Sequence, residues 1–167
     1  MSFFYHIMKS PIGNLHLIAD AENLCAVAYD SNISALKKYF PELQEKENSV
    51  LKKTQKQLQE YFEGRRQQFD IPLKLTHGTE FQKRTWQALS QIPYGKTVSY
   101  QEQAEKLRKP SAVRAVGRTN GLNPISIIVP CHRVIAKSGN LTGYAGGLPA
   151  KKFLLELEKD MADKKSK

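Results

Sequence analysis

The stretch "SYQEQAEKLRKPSAVRAVGRTNG", from Ser99 to Gly121, decides the fold of the second half of this chain. Ser99 and Glu102 form a capping box, which predicts a helix running through "YQEQAEKL" to about Arg108. The "KPS" that follows turns the chain into a second helix, "AVRAVGRTN", which Ser111 can cap and Gly121 ends. Two short helices with a tight turn are typical of a helix-turn-helix, although any αα-hairpin gives the same pattern.

The charge of the chain supports a nucleic-acid contact at this helix pair. The net charge is +10, and residues 79–167 hold 16 Lys and Arg against 7 Asp and Glu, whereas residues 1–78 hold 10 against 9. Arg114 and Arg118 both lie on the second helix. A basic surface can serve solubility alone, but a basic half that contains a helix pair favours a polyanionic partner, DNA or RNA.

The N-terminal half has a different pattern, typical of a small α+β unit. "GNLHLIAD" and "LCAVAYD" predict a β-hairpin, and "FDIPL" from Phe69 to Leu73 is a candidate further strand. Two helical segments lie between them. The second has Ser49 as its predicted N-cap and Gly64 as its terminator.

The connection between the halves is predicted at "KLTHGT", residues 74–79, where the periodicity breaks. Thr79 and Gln82 then form another capping box and begin a helical region. We therefore predict an α+β domain over residues 1–78, a mostly helical domain over 79–160 and a charged tail over 161–167. Disorder is expected only in the final "KDMADKKSK".

Composition narrows the classes of protein. The 40% hydrophobic and 25% charged content is ordinary for a globular chain. No apolar run approaches the roughly 20 residues of a membrane span, and the first residues lack the basic and apolar regions of a signal peptide. Two cysteines, Cys25 and Cys131, argue against a disulfide framework. We predict a cytoplasmic protein without a membrane span, in which Cys131 is a free thiol.

The stretch "NPISIIVPCHRV", residues 123–134, places Cys131 beside His132. A metal site would need a CxxC or HxxxH partner set, and the other histidines lie in the N-terminal half. A buried structural cysteine is the common alternative, and it fits Cys25 in its apolar strand-like run. For Cys131 the interruption by Pro130 and the glycine-rich loop that follows favour a reactive thiol.

A reactive thiol needs help from its surroundings. A free cysteine has a pKa of about 8.5, so a nearby base or positive field must favour the thiolate. His132 can supply a base, but neighbouring residues of an extended chain point to opposite sides, so contact requires a turn or a bridging water. Glu158 borders the apolar face of the last predicted helix and could orient the imidazole, although its spacing fits a solvent-facing glutamate better. A cysteine hydrolase would need an oxyanion hole, which no motif marks.

Several motifs together resemble the O6-alkylguanine-DNA alkyltransferases, also called methylated-DNA-protein-cysteine methyltransferases. They are "PCHRV", "RAVG", "NP" eight residues before the cysteine, "IPYGKTVSYQ" and "LTGYAGG", with "SPIGNL" and "EYFEGRRQQFDIPL" in the first half. The resemblance thus covers nearly the whole chain. It implies a small α/β domain of ribonuclease-H-like fold, then a DNA-binding and alkyltransferase domain with a winged-helix-like helix-turn-helix.

The resemblance also implies a single-turnover reaction without cofactor or metal. Cys131 would accept an alkyl group from the O6 position of guanine in double-stranded DNA and be consumed. His132 would deprotonate Cys131 through a water, Glu158 would hold the imidazole, and Asn123 would brace the turn that carries the cysteine. Tyr100 is similar to the tyrosine that hydrogen-bonds the guanine ring nitrogen.

The same resemblance implies how DNA is held. A base inside a duplex cannot reach a buried thiol, so it must be flipped out. Arg114 resembles the arginine that enters the stack in its place, on a helix that lies in the minor groove. The other predicted DNA-binding residues are Ala112, Ala115, Gly117 and Arg118, and the predicted pocket residues are Val134, Tyr144 and Ala145. Arg133 is predicted to be structural.

Two departures and two alternatives accompany this interpretation. Gln103 stands where the family generally has an aliphatic residue, which puts the local helix packing in question, and Ala145 replaces the serine of some relatives. A damage-binding relative without a nucleophile typically has tryptophan where Cys131 stands, and a methylation-sensing regulator would need a further module. We expect a monomer that acts on O6-alkylguanine in DNA, with O4-alkylthymine left open as a second substrate.

Overall fold

The computed structural model describes residues 2–165, and the chain divides into two compact units, Met1–His77 and Gly78–Lys167. The first unit contains the strands β1 (Phe3–Ser10), β2 (Gly13–Ala19), β3 (Leu24–Tyr29) and β4 (Leu43–Gln44), and the helices α1 (Ile33–Lys37) and α2 (Ser49–Phe62). The strands form one sheet in the order β3-β2-β1-β4. The neighbours among β1, β2 and β3 are antiparallel, whereas β4 is parallel to β1.

The sheet confirms the predicted hairpin and adds a strand that the sequence analysis does not assign. The hairpin is β2 and β3, with Leu17 opposite Val27. The unassigned strand is β1, which pairs with both β2 and β4. The prediction of a strand at "FDIPL" is wrong, because Leu73 makes only an isolated bridge to Leu24.

The core of the first unit explains why β3 forms. Every residue of β3 is buried, as expected of a continuous apolar run in the interior of a unit. Cys25 lies in this strand with none of its surface exposed, which confirms its prediction as a core residue. The apolar residues that surround it are Phe3, Tyr5, Ile18, Ala26, Ala28, Ile33, Leu36 and Phe40.

The ends of α2 differ in how well the sequence predicts them. The N-cap is Asn48, whose side chain accepts a hydrogen bond from the Leu51 amide, so the prediction of Ser49 is wrong by one residue. Both residues are good caps, and local sequence does not separate them. Gly64 follows the helix with φ +77°, a conformation that favours glycine, and this confirms it as the terminator.

The second unit is mostly helical. Its elements are α3 (Glu80–Leu89), β5 (Val98–Ser99), α4 (Tyr100–Lys106), α5 (Val113–Gly121), a 3₁₀ turn (Cys131–Arg133), β6 (Val134–Ile135) and α6 (Leu148–Lys165). The capping boxes of Thr79 with Gln82 and of Ser99 with Glu102 are both confirmed. The cap predicted at Ser111 is wrong, because α5 begins after Ala112 and has no side-chain cap.

Buried polar contacts join the helices of the second unit. The indole Nε1 of Trp86, on α3, donates to the Thr119 carbonyl of α5 at 2.8 Å. The amides of Gln103, on α4, and Asn120, on α5, exchange two hydrogen bonds of 2.8 Å each. The amide at position 103 is therefore accommodated, because its donor and its acceptor both have a partner.

The last helix is longer than the sequence predicts. α6 continues to Lys165, so the expectation of disorder from Lys159 onward is wrong up to that residue. The final two residues lie outside the described part of the chain. Within residues 2–165, no helix combines the length and the apolar character that crossing a membrane requires.

Candidate active site

Asn123 closes the turn that leads to Cys131. Its side-chain Nδ2 donates to the Val129 carbonyl at 2.8 Å, and its Oδ1 accepts from the Ile125 amide at 3.0 Å. Between these contacts Ile127 adopts φ +72°, a conformation that β-branched residues rarely occupy. The buried amide thus holds a strained turn in one conformation.

Cys131 is the first residue of the 3₁₀ turn and is only 7% exposed. Burial raises the pKa of its thiol, while a hydrogen bond with Asn123 and the charge of Lys151 act in the opposite direction without cancelling the effect. The thiol is therefore mostly protonated at neutral pH. Nucleophilic chemistry at this position requires a base that takes the proton.

His132, Arg133 and Glu158 form a buried ionic cluster beside the cysteine. Nε2 of His132 lies 2.6 Å from Oε2 of Glu158. Arg133 donates from Nε to Oε1 of the same carboxylate at 2.7 Å and from Nη2 to Oε2 at 3.1 Å. Its Nη1 donates to the Ile92 carbonyl at 2.7 Å. The 1% exposure of Glu158 shows that this glutamate faces inward rather than solvent.

The charges of the cluster determine which imidazole nitrogen can act as a base. Burial alone would raise the pKa of Glu158, but His132 and Arg133 lower it to about 2, so the carboxylate is ionised. Burial also lowers the pKa of His132, which favours the neutral ring. A neutral ring that contacts a carboxylate through Nε2 carries its proton there, and its lone pair is then on Nδ1. Among residues 2–165 this buried Nδ1 has no hydrogen-bond partner.

Lys151 links the cysteine to the residues around Tyr100. Its ammonium Nζ, in a side chain that is almost completely buried, donates to the carbonyls of Val134 at 2.7 Å and Thr142 at 3.1 Å. The same Nζ lies 6.0 Å from the centre of the Tyr100 ring. Tyr100 in turn pairs its hydroxyl with Oγ1 of Thr142 at 2.6 Å. Burial lowers the pKa of Lys151, and the Cys131 thiol acts in the opposite direction.

The other predicted pocket residues differ in how deeply they are buried. Val134 is fully buried, and its backbone pairs with Val98 in a two-stranded parallel sheet. Tyr144 is partly buried, with its ring centre 6.5 Å from that of His132. Ala145 is also partly buried.

The outer face of α5 carries the predicted DNA-binding residues. Arg114 and Arg118 are exposed and lie four residues apart, so they share one face of the helix. Ala112, Ala115 and Gly117 are partly exposed. A Cβ atom added at Gly117 would lie 3.7 Å from ring atoms of Tyr100, an ordinary contact distance. The helix therefore presents two guanidinium groups outward and lies against the predicted base-contacting tyrosine inward.

Sequence reasoning missed two residues of this site, the buried Lys151 and the partly buried Thr142. The signal for Lys151 was its spacing, because it lies seven residues before Glu158 and thus on the same face of α6. Thr142 offered no comparable signal. Within the described part of the chain, no group of three or more His, Cys, Asp or Glu residues could hold a metal ion.

Two family models match the chain, one in each half. The model described as the 6-O-methylguanine DNA methyltransferase ribonuclease-like domain matches residues 3–75, and the DNA binding domain of the same methyltransferase matches residues 80–160. These matches confirm the predicted α+β fold class, with a ribonuclease-like first half and a helical DNA-binding second half.

Individual relatives agree with the family models over nearly the full length. The methylated-DNA-protein-cysteine methyltransferase of Methanosarcina acetivorans is 45% identical over 155 residues, which cover 93% of this chain and 97% of that protein. The crystal structure of the Mycobacterium tuberculosis O6-methylguanine methyltransferase is 43% identical with a TM-score of 0.84, and covers 95% of this chain and 94% of the other. A crystal structure of Mycobacterium tuberculosis OGT in complex with DNA has a TM-score of 0.85 at 44% identity, with the same coverage. The chain therefore belongs to the 6-O-methylguanine DNA methyltransferase family, whose members repair DNA by transferring a methyl group to a protein cysteine.

Proposed function

We propose that Cys131 is the cysteine that accepts the alkyl group from the O6 position of guanine in double-stranded DNA, and that each chain does so once. The observation that carries this assignment is the buried His132–Glu158 pair, whose histidine follows Cys131 directly in the 3₁₀ turn. Cys25 lies in the other unit, in the interior of β3, without such a pair.

The cluster gives each residue a step in the reaction. His132 takes the thiol proton at Nδ1, directly or through one water, while Glu158 holds Nε2–H and stabilises the imidazolium that forms. The thiolate sulfur then attacks the alkyl carbon. The new S–C bond forms as the C–O6 bond breaks. The electron pair of the broken C–O6 bond stays on the guanine oxygen. Guanine takes up one proton, which balances the one lost by Cys131.

Two groups act on the guanine and on the DNA. Tyr100 donates a hydrogen bond to the guanine ring nitrogen, which stabilises the leaving base. Arg114 fills the space that the flipped base leaves in the duplex, and its exposed position on α5 suits that task. Val134, Tyr144 and Ala145 line the side of the pocket, and Arg118 contacts the phosphate backbone.

The partner is DNA, as the DNA-binding domain of the family indicates. We further propose that the substrate is O6-alkylguanine in a duplex, that the active form is a monomer, and that the protein is cytoplasmic. O4-alkylthymine carries its alkyl group on a similar ring-bound oxygen, which supports it as a further substrate.

Stoichiometry tests the proposal. The thioether has no good leaving group, so neither water nor His132 can regenerate the thiol. With excess methylated duplex we expect a burst equal to the protein present, and peptide mass spectrometry should find one methyl group on Cys131 and none on Cys25. A Cys25→Ala variant should give the same burst. Continuous turnover, or a methyl group on another residue, would refute the assignment.

A further inference from the structure

The hydroxyl pair of Tyr100 and Thr142 raises a question of direction. The two oxygens are 2.6 Å apart, and either can be the donor. A phenol has a single proton. If Tyr100 donates to Thr142, its proton is not available to a base. If Thr142 donates to Tyr100, the phenol proton is available for a base.

The proposed role of Tyr100 requires Thr142 to be the donor of the pair. The backbone carbonyl of Thr142 accepts from the Lys151 ammonium at 3.1 Å, which fixes the main chain beneath the hydroxyl. The same ammonium lies 6.0 Å from the centre of the Tyr100 ring. The Lys151 ammonium thus lies close to both members of the pair, and a phenol that gives its only proton to the base can only accept from the Thr142 hydroxyl.

We propose that Thr142 is a positioning residue for the methyl transfer, which donates a hydrogen bond to the Tyr100 hydroxyl and thereby directs the phenol proton towards the ring nitrogen of the flipped guanine. As negative charge develops on the leaving base, the Tyr100 hydrogen bond strengthens, and the Thr142 hydroxyl stabilises the phenol oxygen. Thr142 itself does not touch the base. The inference rests on the proposed role of Tyr100.

Two variants of Thr142 separate the hydroxyl from the shape of the side chain. Thr142→Val keeps the branched shape and removes the hydroxyl, whereas Thr142→Ser keeps the hydroxyl. On duplex DNA with O6-methylguanine, we expect the valine variant to transfer about tenfold more slowly, the effect of about one hydrogen bond. The serine variant should stay within about threefold of the unmodified chain, which is less than the loss of one hydrogen bond.

A substrate analogue distinguishes positioning from a structural effect. In the analogue, CH replaces the guanine ring nitrogen that Tyr100 contacts, so no acceptor remains. The unmodified chain and Thr142→Val should transfer from it at equal rates, and circular dichroism should show that both are folded. An equal loss on both substrates would mean a structural role and overturn the proposal.

The remaining outcomes are also decisive. Faster transfer by Thr142→Val on the normal substrate would show that Thr142 competes with the base for the phenol proton, which also overturns the proposal. A lack of rescue by Thr142→Ser would do the same. If the unmodified chain places no methyl group on Cys131, the proposed function itself fails, and this is seen before any variant is compared.

Discussion

The surroundings of the two cysteines differ more than their burial does. Cys25 is completely buried in β3, where its sulfur contacts the Asn23 carbonyl at 3.6 Å, and burial raises its thiol pKa to about 11. Cys131 is nearly as buried, and its thiol pKa is also raised. Neighbouring groups partly oppose the effect of burial at both thiols, Asn123 and Lys151 at Cys131 and the Asp20 backbone and Lys74 at Cys25. What distinguishes Cys131 is His132, which follows it directly and pairs with Glu158. Burial therefore makes a thiol inert by default. Reactivity depends on the base and the charges placed beside it.

The largest expected effect on the transfer rate comes from removing the negative charge of Glu158, because Cys25 has no such His–Glu pair next to it in the chain. Glu158→Gln removes the charge that orients His132 and stabilises its protonated form, so transfer from methylated duplex should slow by about 100-fold, a typical contribution of general base catalysis. Rapid-quench kinetics with limiting protein measures this rate. The matched control is Glu156→Gln on the same helix, whose side chain is 63% exposed.

Glu158→Gln also removes the charged partner of Arg133, so the folded fraction of this variant must be measured first. Breaking a buried ion pair typically costs about 3–5 kcal/mol. If folded Glu158→Gln transfers as fast as Glu156→Gln, the ionic cluster is structural, and the contrast between the two cysteines needs another explanation.

A smaller effect should separate access to Cys131 from its chemistry. Arg114→Ala should slow transfer from duplex DNA by about tenfold, since the cost of flipping a base is a few kcal/mol and the arginine offsets part of it. Transfer from the free base O6-methylguanine should hardly change, because that substrate needs no flipping. Arg65→Ala, on an exposed arginine of the first unit, is the control. Equal losses on the two substrates would contradict the proposed role of Arg114.

Low pH should reduce the stability of the folded chain, because it protonates Glu158 beside His132. The pKa of Glu158 is about 2 in the folded chain against an ordinary 4.5, so its contribution to stability is fully present above about pH 4.5 and is lost as the pH falls towards 2. The difference corresponds to on the order of 3 kcal/mol. Urea unfolding over this range should show the stability gap between the unmodified chain and Glu158→Gln closing as the pH falls. A constant gap would show that the carboxylate is not the titrating group.

The smallest effect at neutral pH is expected at Cys25. Cys25→Ala should leave the transfer rate within about twofold, since this thiol is buried inside β3 of the first unit and takes no part in the proposed reaction. Its raised pKa, about 11 against 9.0, means that the buried thiol stabilises the fold fully below about pH 9 and that this contribution is lost as the pH rises through 11. Limited proteolysis of the first unit should detect that alkaline loss in the unmodified chain and not in the variant.

Local signals predicted the parts of the fold that depend on a few neighbouring residues. Both capping boxes and the terminator Gly64 have this character, because the hydrogen bonds or backbone angles involved span three or four positions. The sequence analysis did not predict β1. Its polar residues, such as His6 and Lys9, interrupt the pattern of apolar residues that would mark a strand.

The candidate site divides in the same way. The neighbours Cys131 and His132 are recognisable from their motif, and the place of Glu158 could be inferred from resemblance. The charge of the buried carboxylate is stabilised by His132 and Arg133, which belong to another element. Thr142 meets Tyr100 across 42 positions of sequence, and no local pattern marks such a contact.

The hydrogen bond between the Trp86 indole and α5 has a practical consequence for every unfolding experiment above. The chain contains one tryptophan, and it is buried in the second unit against the helix that carries Arg114. Its fluorescence therefore reports the local environment of the second unit alone, whereas the far-ultraviolet circular dichroism signal sums both units. Melting curves that coincide in the two signals would indicate that both units unfold together. If the two curves separate, the unfolding of the first unit, which has no tryptophan, is obtained by subtracting the fluorescence transition from the circular dichroism transition. No label has to be attached to the protein.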